Sequence, residues 1–437
     1  MPSEIGRLTS LQTLTLFVVS SANLAQLGCL SQLGGALKIC NLEFARAMSE
    51  AVKANLDKKT KLYELEVGWN RDNEDHSDYE VLEGLRPPSN LKHLKIERSK
   101  GKKFPSWLEM GVNFFGDSFP LNNLLTLKLH DCNECVEILS LGFIPKLEDL
   151  EIGRMPKVKR MGSKFCLDRS NMTSSSCGDK KSIILFPALK KFTIRHMEIL
   201  EEWAEIEGTA IFPCLEDLYV GNLPKLKTWS MSGFSSHHKL SKADIYDCPN
   251  LVTLPSMERL SSLGNLSLTE LGSIPSGLGS CSSLKNLGLE RCCMSSLSMK
   301  KMISLETLEI SRCKELVYVS GLESCISLQK LNIVDCDNLI SISEDVGRSS
   351  SLTSLKITNC KNLRSIPEGW LGRNTRLEEL IICPFWSELE EYPGLTSIHQ
   401  LHASLKSLTL WDWDKLKSLP HQLRHLTALK QLTLWDF

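Results

Sequence analysis

The string LxxLxL, with Ile, Val or Phe accepted at the leucine positions, recurs along nearly the whole chain. Copies start at Leu11, Leu62, Leu91, Leu124, Leu147, Leu189, Leu215, Leu240 and Leu263, and continue at Leu284, Leu305, Leu328, Leu352, Leu377, Leu405 and Leu429. A degenerate copy with one extra residue falls at Leu33, Leu37 and Ile39, making about seventeen units. Through the regular middle the spacing is 21 to 25 residues. In an extended strand successive side chains point to opposite faces, so the leucines of each copy face one way and the intervening residues the other. One such unit is too small to bury its own leucines, whereas a stack of units buries them in a core that grows lengthwise. A chain of 437 residues therefore need not split into several globular domains.

A second periodic position follows the strand. Three residues after the last leucine stands Cys132, Cys248, Cys292, Cys313, Cys336 or Cys360. This is the Asn/Cys position of a leucine-rich repeat, whose side chain turns inward where the strand ends; cysteine suits it as a small, buried, weakly polar residue. Next come a leucine and often a proline, as in Cys248, Leu251, Leu254, Pro255 and in Cys360, Leu363, Ile366, Pro367. The expected fold is an α/β leucine-rich-repeat solenoid, a curved horseshoe with a parallel β-sheet on the concave face and an irregular, short-helical convex side. It should fill residues 1–437, with irregular insertions near 70–90, 98–123 and 153–188. Residues 42–59 have helical spacing without Pro or Gly and predict a convex helix, and another short helix is expected around residues 81–85. The acidic run Asp72, Glu74, Asp75, Asp78 and Glu80 reads as a solvated loop. The Ser-rich stretch within 153–188 reads as a surface loop.

Several functional classes find no support. Lys+Arg is 51 against Asp+Glu 52, so charge gives no reason to expect nucleic acid or an anionic membrane as partner. No run of apolar residues is long enough for a membrane span, and the start of the chain has no basic-then-apolar secretory pattern. The two N-x-S/T triplets at Asn171 and Asn265 are then chance matches. The expected localisation is cytoplasmic or nucleocytoplasmic. Of the sixteen cysteines, six hold the repeat position. Cys132 and Cys135 form a lone CxxC without a second pair at ligand spacing, so no metal is expected. There is no GxxxxGK[ST] phosphate loop and no HExxH, and His237–His238 has no third ligand in reach by sequence. The chain is not expected to be an enzyme or to hold a cofactor.

The outward strand positions define a surface for binding another protein. The candidates on it are His130, Arg195, Tyr246, Glu290, Trp411 and Trp435, each the residue right after its strand's last apolar position. Trp411 and Trp435 occupy the same position in successive units, which predicts neighbouring rings about 5 Å apart. Outward tryptophans suit a binding hot spot. Equally, they suit packing against further chain. Trp413 and Phe437 take the Asn/Cys position and should point inward; Phe385 and Trp386 follow the preceding strand.

The spacers between repeats point further. "IGRLTSLQTL", "LGGALKICNLE", "ANLDKKTKLYELEVGW", "LEGLRPPSNLKHLKI" and "GKKFPSWL" occur in that order, followed by "FPALKKFTIRHMEILEEW" and "FPCLEDLYVGNLPKLKTW". This ordered set, above all Gly101 to Trp107 and Glu201 to Trp203, resembles the repeat region of plant coiled-coil nucleotide-binding leucine-rich-repeat disease-resistance proteins (NLRs). The resemblance covers almost the whole chain. It implies recognition of a pathogen effector or a guarded host protein, and contact with the nucleotide-binding module of the same receptor, which the repeats restrain. The coiled-coil and nucleotide-binding regions have no counterpart in these residues. The ADP or ATP site of the family therefore maps onto no residue here. The alternative is a substrate-recruiting subunit of a ubiquitin ligase, which would want an F-box-like helical segment ahead of Leu11. An extracellular receptor would want a signal peptide, paired capping cysteines and an LxGxIP convex pattern.

Overall fold

The computed structural model describes the chain except residues 1–3, 21–22, 46, 71–77, 109–120, 139–140, 162–182, 204–208, 230–238, 253, 255, 259, 343–350, 364–365, 367–369, 383–394, 412–418, 420 and 436–437. The chain divides into two compact units, Met1–Lys239 and Leu240–Phe437. Each is a stack of short parallel strands joined by turns.

In the first unit the strands Leu16–Val18, Gly34–Cys40, Lys61–Gly68, His93–Glu97, Thr126–His130, Asp149–Gly153, Lys191–Arg195 and Asp217–Gly221 pair each with the next, all parallel. Their register stacks like on like: Leu65, Leu94, Leu127, Leu150, Phe192 and Leu218 form one inward row. All six are buried, and each contributes roughly 1.5 to 3 kcal/mol by leaving water. In the second unit the strands run Lys242–Cys248, Asn265–Leu271, Asn286–Glu290, Thr307–Ser311, Lys330–Val334, Ser354–Thr358, Glu379–Ile382, Ser407–Trp411 and Gln431–Trp435, again parallel in chain order. This is the leucine-rich-repeat solenoid that the period predicts.

The strands end in a shared way. The residue after the last outward position takes a left-handed conformation at Arg98, Asp131, Arg154, His196 and Asn222, and again at Asp247, Glu270, Arg291, Arg312, Asp335 and Asn359. A non-glycine residue there is strained by about 1 kcal/mol or more. A backbone bond to the next unit offsets it: the Asp131 N–H donates to the Gly153 carbonyl at 3.0 Å and the Arg312 N–H to the Val334 carbonyl at 2.9 Å. The turn then points the next side chain inward. There Cys132, Cys248, Cys292, Cys313, Cys336 and Cys360 are all buried. Each thiol donates to the carbonyl two residues earlier, Cys313 to Ser311 at 3.5 Å for example. Cys292 and Cys313 also reach carbonyls of the preceding unit, Leu268 and Leu289.

Behind the sheet the chain is irregular, as expected, and the helices among the described residues are short. Second ladders form there: Arg160–Met161, Glu202–Trp203 and Thr228–Trp229 in the first unit, and Ser296–Ser298, Tyr318–Ser320 and Ser341–Ile342 in the second. Trp203 and Trp229 stack at 5.1 Å and 7°. Phe186 and Phe212, from the two "FP" spacers, lie 4.9 Å apart, both at positive φ.

Two local expectations are corrected. In the earliest copy, Leu16 is exposed while Phe17 and Val19 are buried, because Phe17 and not Leu16 pairs with the inward Ile39. A one-residue slip exchanges the two faces of a strand, and the run Leu16–Val18 followed by Val19 offers an apolar residue in either register. The irregular second copy is met by a register shift between Gly35 and Ala36, with Gly35 at φ +82°, a conformation glycine adopts without steric cost. Residues 42–59 form no single helix. They break into a 3-10 turn Leu42–Phe44, an α-helix Met48–Val52 and a 3-10 turn Leu56–Lys58, with Asn55 left-handed at the break. The short helix expected near 81–85 is present as Asp78–Gly84.

Candidate functional site

Strand alternation turns three residues of each five-residue strand away from the core: one before, one between and one after the last two apolar positions. In the first unit, register places Lys38, Glu66, Lys95, Lys128, Glu151 and Thr193 in one outward row. Glu97, His130, Gly153 and Arg195 stand in the row beside it. Of these, Glu66, Lys95, Lys128, Glu151, Glu97, His130 and Arg195 line a groove of about 540 Å³ on the sheet face.

The predicted site residues His130 and Arg195 meet here over a carboxylate that the sequence reading passed by, Glu151. Arg195 Nη2 lies 2.8 Å from Glu151 Oε1, His130 Nε2 3.4 Å from the same oxygen, and Lys128 Nζ 3.3 Å from Oε2. The hydrogen bond from His130, helped by the Lys128 ammonium, holds the Glu151 carboxyl down to about 2, although burial opposes it. At the other end of the groove Glu66 pairs with Lys38 and Lys95, and Lys95 with Glu97 at 2.5 Å. Burial opposes ionisation at both members of the Lys95–Glu97 pair, but their mutual hydrogen bond and attraction raise the lysine and lower the carboxyl.

The other four predicted residues do not join this group. Tyr246 and Glu290 lie in one outward row of the second unit with Thr269, Ser311, Val334 and Thr358, of which Thr358 is buried. Glu290 accepts from Arg312 Nη1 at 2.9 Å. Trp411 and Trp435 pair in register across the last two strands. Trp411 is half-buried, and Trp435 is 64% exposed beside Leu432 and Leu434, which are 44% and 40% exposed. Trp413, Phe437, Phe385, Trp386 and His237–His238 lie outside the described residues, as does most of the acidic run.

Sequence reasoning picked one residue per strand and so missed Glu66, Lys95, Lys128 and Glu151, which sit one step inside each LxL. Their signal was available: alternation makes the x of LxL outward too.

The cysteines behave as structural groups. Cys132 donates to the His130 carbonyl and Cys135 to the Glu137 carbonyl. Burial pushes Cys132 far up and Cys135 up to about 11, so both hold their protons at neutral pH, and a thiol proton must leave before the sulfur ligates a metal. Cys281 rises to about 11 and Cys325 to about 12 for the same reason. No group of three His, Cys, Asp or Glu residues is placed to hold a metal among the described residues. No helix among them is long and apolar enough to cross a membrane.

The family-like spacers have a physical role. Segment 99–107 straps the helix Asp78–Gly84. The Lys100 N–H donates to Asp78 Oδ2 at 2.7 Å, the Ser106 N–H to Glu83 Oε2 at 2.6 Å, and Trp107 Nε1 to the Leu82 carbonyl at 3.0 Å.

Stacked leucine ladders with polar and aromatic groups set out along the sheet face define a leucine-rich-repeat protein, a fold for protein–protein interaction. Solved structures agree on the fold. A chain of the Toll–Spatzle complex from Drosophila aligns with a TM-score of 0.58 at 14% identity, over 97% of this chain and 58% of that one. A leucine-rich-repeat protein of Leptospira interrogans aligns with a TM-score of 0.51 at 17% identity, over 94% of this chain and 86% of that one. The model of the R13L1/DRL21 leucine-rich repeats matches residues 24–155. The putative disease resistance RPP13-like protein 1 of Arabidopsis thaliana is 30% identical over 341 residues, 74% of this chain and 29% of its own length. The putative disease resistance protein RGA1 of Solanum bulbocastanum is 29% identical over 283 residues, 61% of this chain and 26% of its own length. The repeats thus resemble those of plant disease-resistance proteins, the likeness the spacers point to, and the chain spans little more than a quarter of the length of these relatives.

Proposed function

We propose that this repeat region recognises a pathogen effector, or a host protein that the effector alters, on behalf of an intracellular plant immune receptor, and that it also restrains the receptor's nucleotide-binding module. The observation that carries the reading is the similarity to disease-resistance proteins along three-quarters of the chain, on a fold whose sheet face is set with binding-type side chains. The proposed location is the cytoplasm, with or without the nucleus.

Co-expression with a coiled-coil and nucleotide-binding segment from a receptor of this kind tests the restraint. Retention of that segment on the tagged repeat chain in a pull-down is expected, and a soluble, folded chain that retains none of it would count against the restraint. For recognition, the tryptophan pair gives the sharper test. Trp411→Ala with Trp435→Ala should weaken binding of the partner at least about tenfold, because buried aromatic anchors dominate interfaces. Far-UV circular dichroism should stay unchanged. An unfolded double variant would show instead that the rings are core.

A further inference from the structure

The groove on the first unit's sheet face has a charge layout that selects its ligand. One end lies on the strands Lys61–Gly68 and His93–Glu97 and presents Glu64, Glu66 and Glu97 against Lys95. The other end lies on the next three strands and presents Lys128, Arg154 and Arg195, with His130, against Asp131 and Glu151. These ion pairs are half-buried, with the Glu66 and Glu151 side chains 21% and 16% exposed, and the attraction in such pairs is largely offset by the cost of desolvating both partners. Gathering so many charges into one concavity is therefore poorly explained by folding. Strongly held ionisable groups in a concavity are a common mark of a binding site.

The same layout excludes simple ligands. A nucleotide or other polyanion would meet Glu66, Glu97 and Glu151. A polyamine would meet Lys128, Arg154 and Arg195. An apolar ligand would strand the charges. The chemistry that satisfies both ends is a segment of polypeptide bearing a basic and an acidic side chain. The ends are two to three strands apart, roughly 10 to 14 Å at about 4.8 Å per strand, which an extended chain covers in about three or four residues. Between His130 and Arg195, which both line the groove, Gly153 stands in register. A Cβ there would touch Arg195 Cγ at 3.4 Å and His130 Nδ1 at 3.5 Å, so a branched, longer side chain would crowd the two groups where they enter the groove.

We infer that this groove binds an extended segment of a partner protein carrying a Lys or Arg and an Asp or Glu three or four residues apart, the basic group on Glu66 and Glu97 and the acidic group on Lys128 and Arg195. The inference rests on the protein-recognition reading above and adds to it the chemistry of one contact, away from the tryptophan pair.

The test selects displayed random peptides of about twelve residues, longer than the groove needs, on the whole chain at low salt. The enriched peptides are then titrated by fluorescence polarisation against the native chain and three variants: Glu66→Gln with Glu97→Gln, Lys128→Gln with Arg195→Gln, and Gly153→Leu. The peptides are expected to share the spaced opposite charges, and each variant to weaken them at least about tenfold. Gly153→Leu keeps the number of charges and crowds Arg195 and His130, so its effect reports the local arrangement of the groove and not the net field. Should a double variant fail to fold by circular dichroism, the Gly153→Leu titration decides alone. Absence of enrichment, peptides without the charge pair, or peptides that bind all folded variants as well as the native chain would overturn the assignment. Peptides that bind as expected while the tryptophan-dependent partner and the nucleotide-binding segment do not would leave the groove standing and remove the immune-receptor reading.

Discussion

Glu151 sits between Lys128, Arg195 and His130 with its side chain only 16% exposed, and it decides how the groove responds to pH. Its carboxyl titrates near 2 in the folded chain against about 4.3 for an unperturbed glutamate. A group depressed on folding stabilises the fold above its unfolded pKa, and that contribution drains away as pH falls toward the folded one. Glu151→Gln should therefore lower the unfolding free energy by about 1 to 2 kcal/mol at neutral pH. The gap between variant and native chain should narrow steadily between about pH 4.5 and pH 2. Urea denaturation at neutral pH and near pH 3 measures it, and a gap of equal size at both would show that Lys128, His130 and Arg195 do not hold this carboxylate in solution. The cysteine ladder belongs to the same scale. Asn and Cys share that position in leucine-rich repeats because both place a donor beneath the strand's last carbonyls, and Cys336 does so toward Val334.

Among elements, the spacer 99–107 shows what an irregular segment contributes to a solenoid. The helix Asp78–Gly84 has only seven residues, too few to hold its shape unaided. Trp107, 6% exposed, covers it and bonds its Leu82 carbonyl. Trp107→Ala should cost about 3 to 5 kcal/mol from the cavity left behind. The first consequence should be faster amide exchange in Asp78–Gly84, seen by hydrogen–deuterium exchange with mass spectrometry. Trp107→Phe keeps most of the packing and loses the hydrogen bond, so its cost should be nearer 1 kcal/mol. Equal effects from the two substitutions would mean that the bond, and not the burial, holds the strap. The spacers are legible as family marks in the sequence, but their part in fixing a helix 25 residues away is not, because nothing in the local pattern says which helix a loop will cover.

For the molecule as a whole, stability is built between neighbours. Leu308 is fully buried and stacks on Leu287 and Leu331. Leu308→Ala should cost about 2 to 5 kcal/mol. In a stack whose units touch only adjacent units the loss stays local. Exchange should quicken in Asn286–Glu290 and Lys330–Val334 and stay unchanged in Lys191–Arg195; uniform loss across both compact units would contradict the nearest-neighbour picture. The period and the alternation of LxxLxL were enough, with no structure in hand, to determine the solenoid, its parallel strands, the inward leucines and the inward cysteines, because each is a repeating consequence of strand geometry. The same alternation placed His130, Arg195, Tyr246, Glu290, Trp411 and Trp435 on one kind of surface. What only the tertiary structure decided is whatever depends on register between units. It gathered His130 and Arg195 over Glu151 and left Tyr246 and Glu290 in a different row. It chose Phe17 over Leu16 where either residue could face the core. A sequence records which way a side chain points along its own strand, and the packing of one strand on the next determines which side chains share a site.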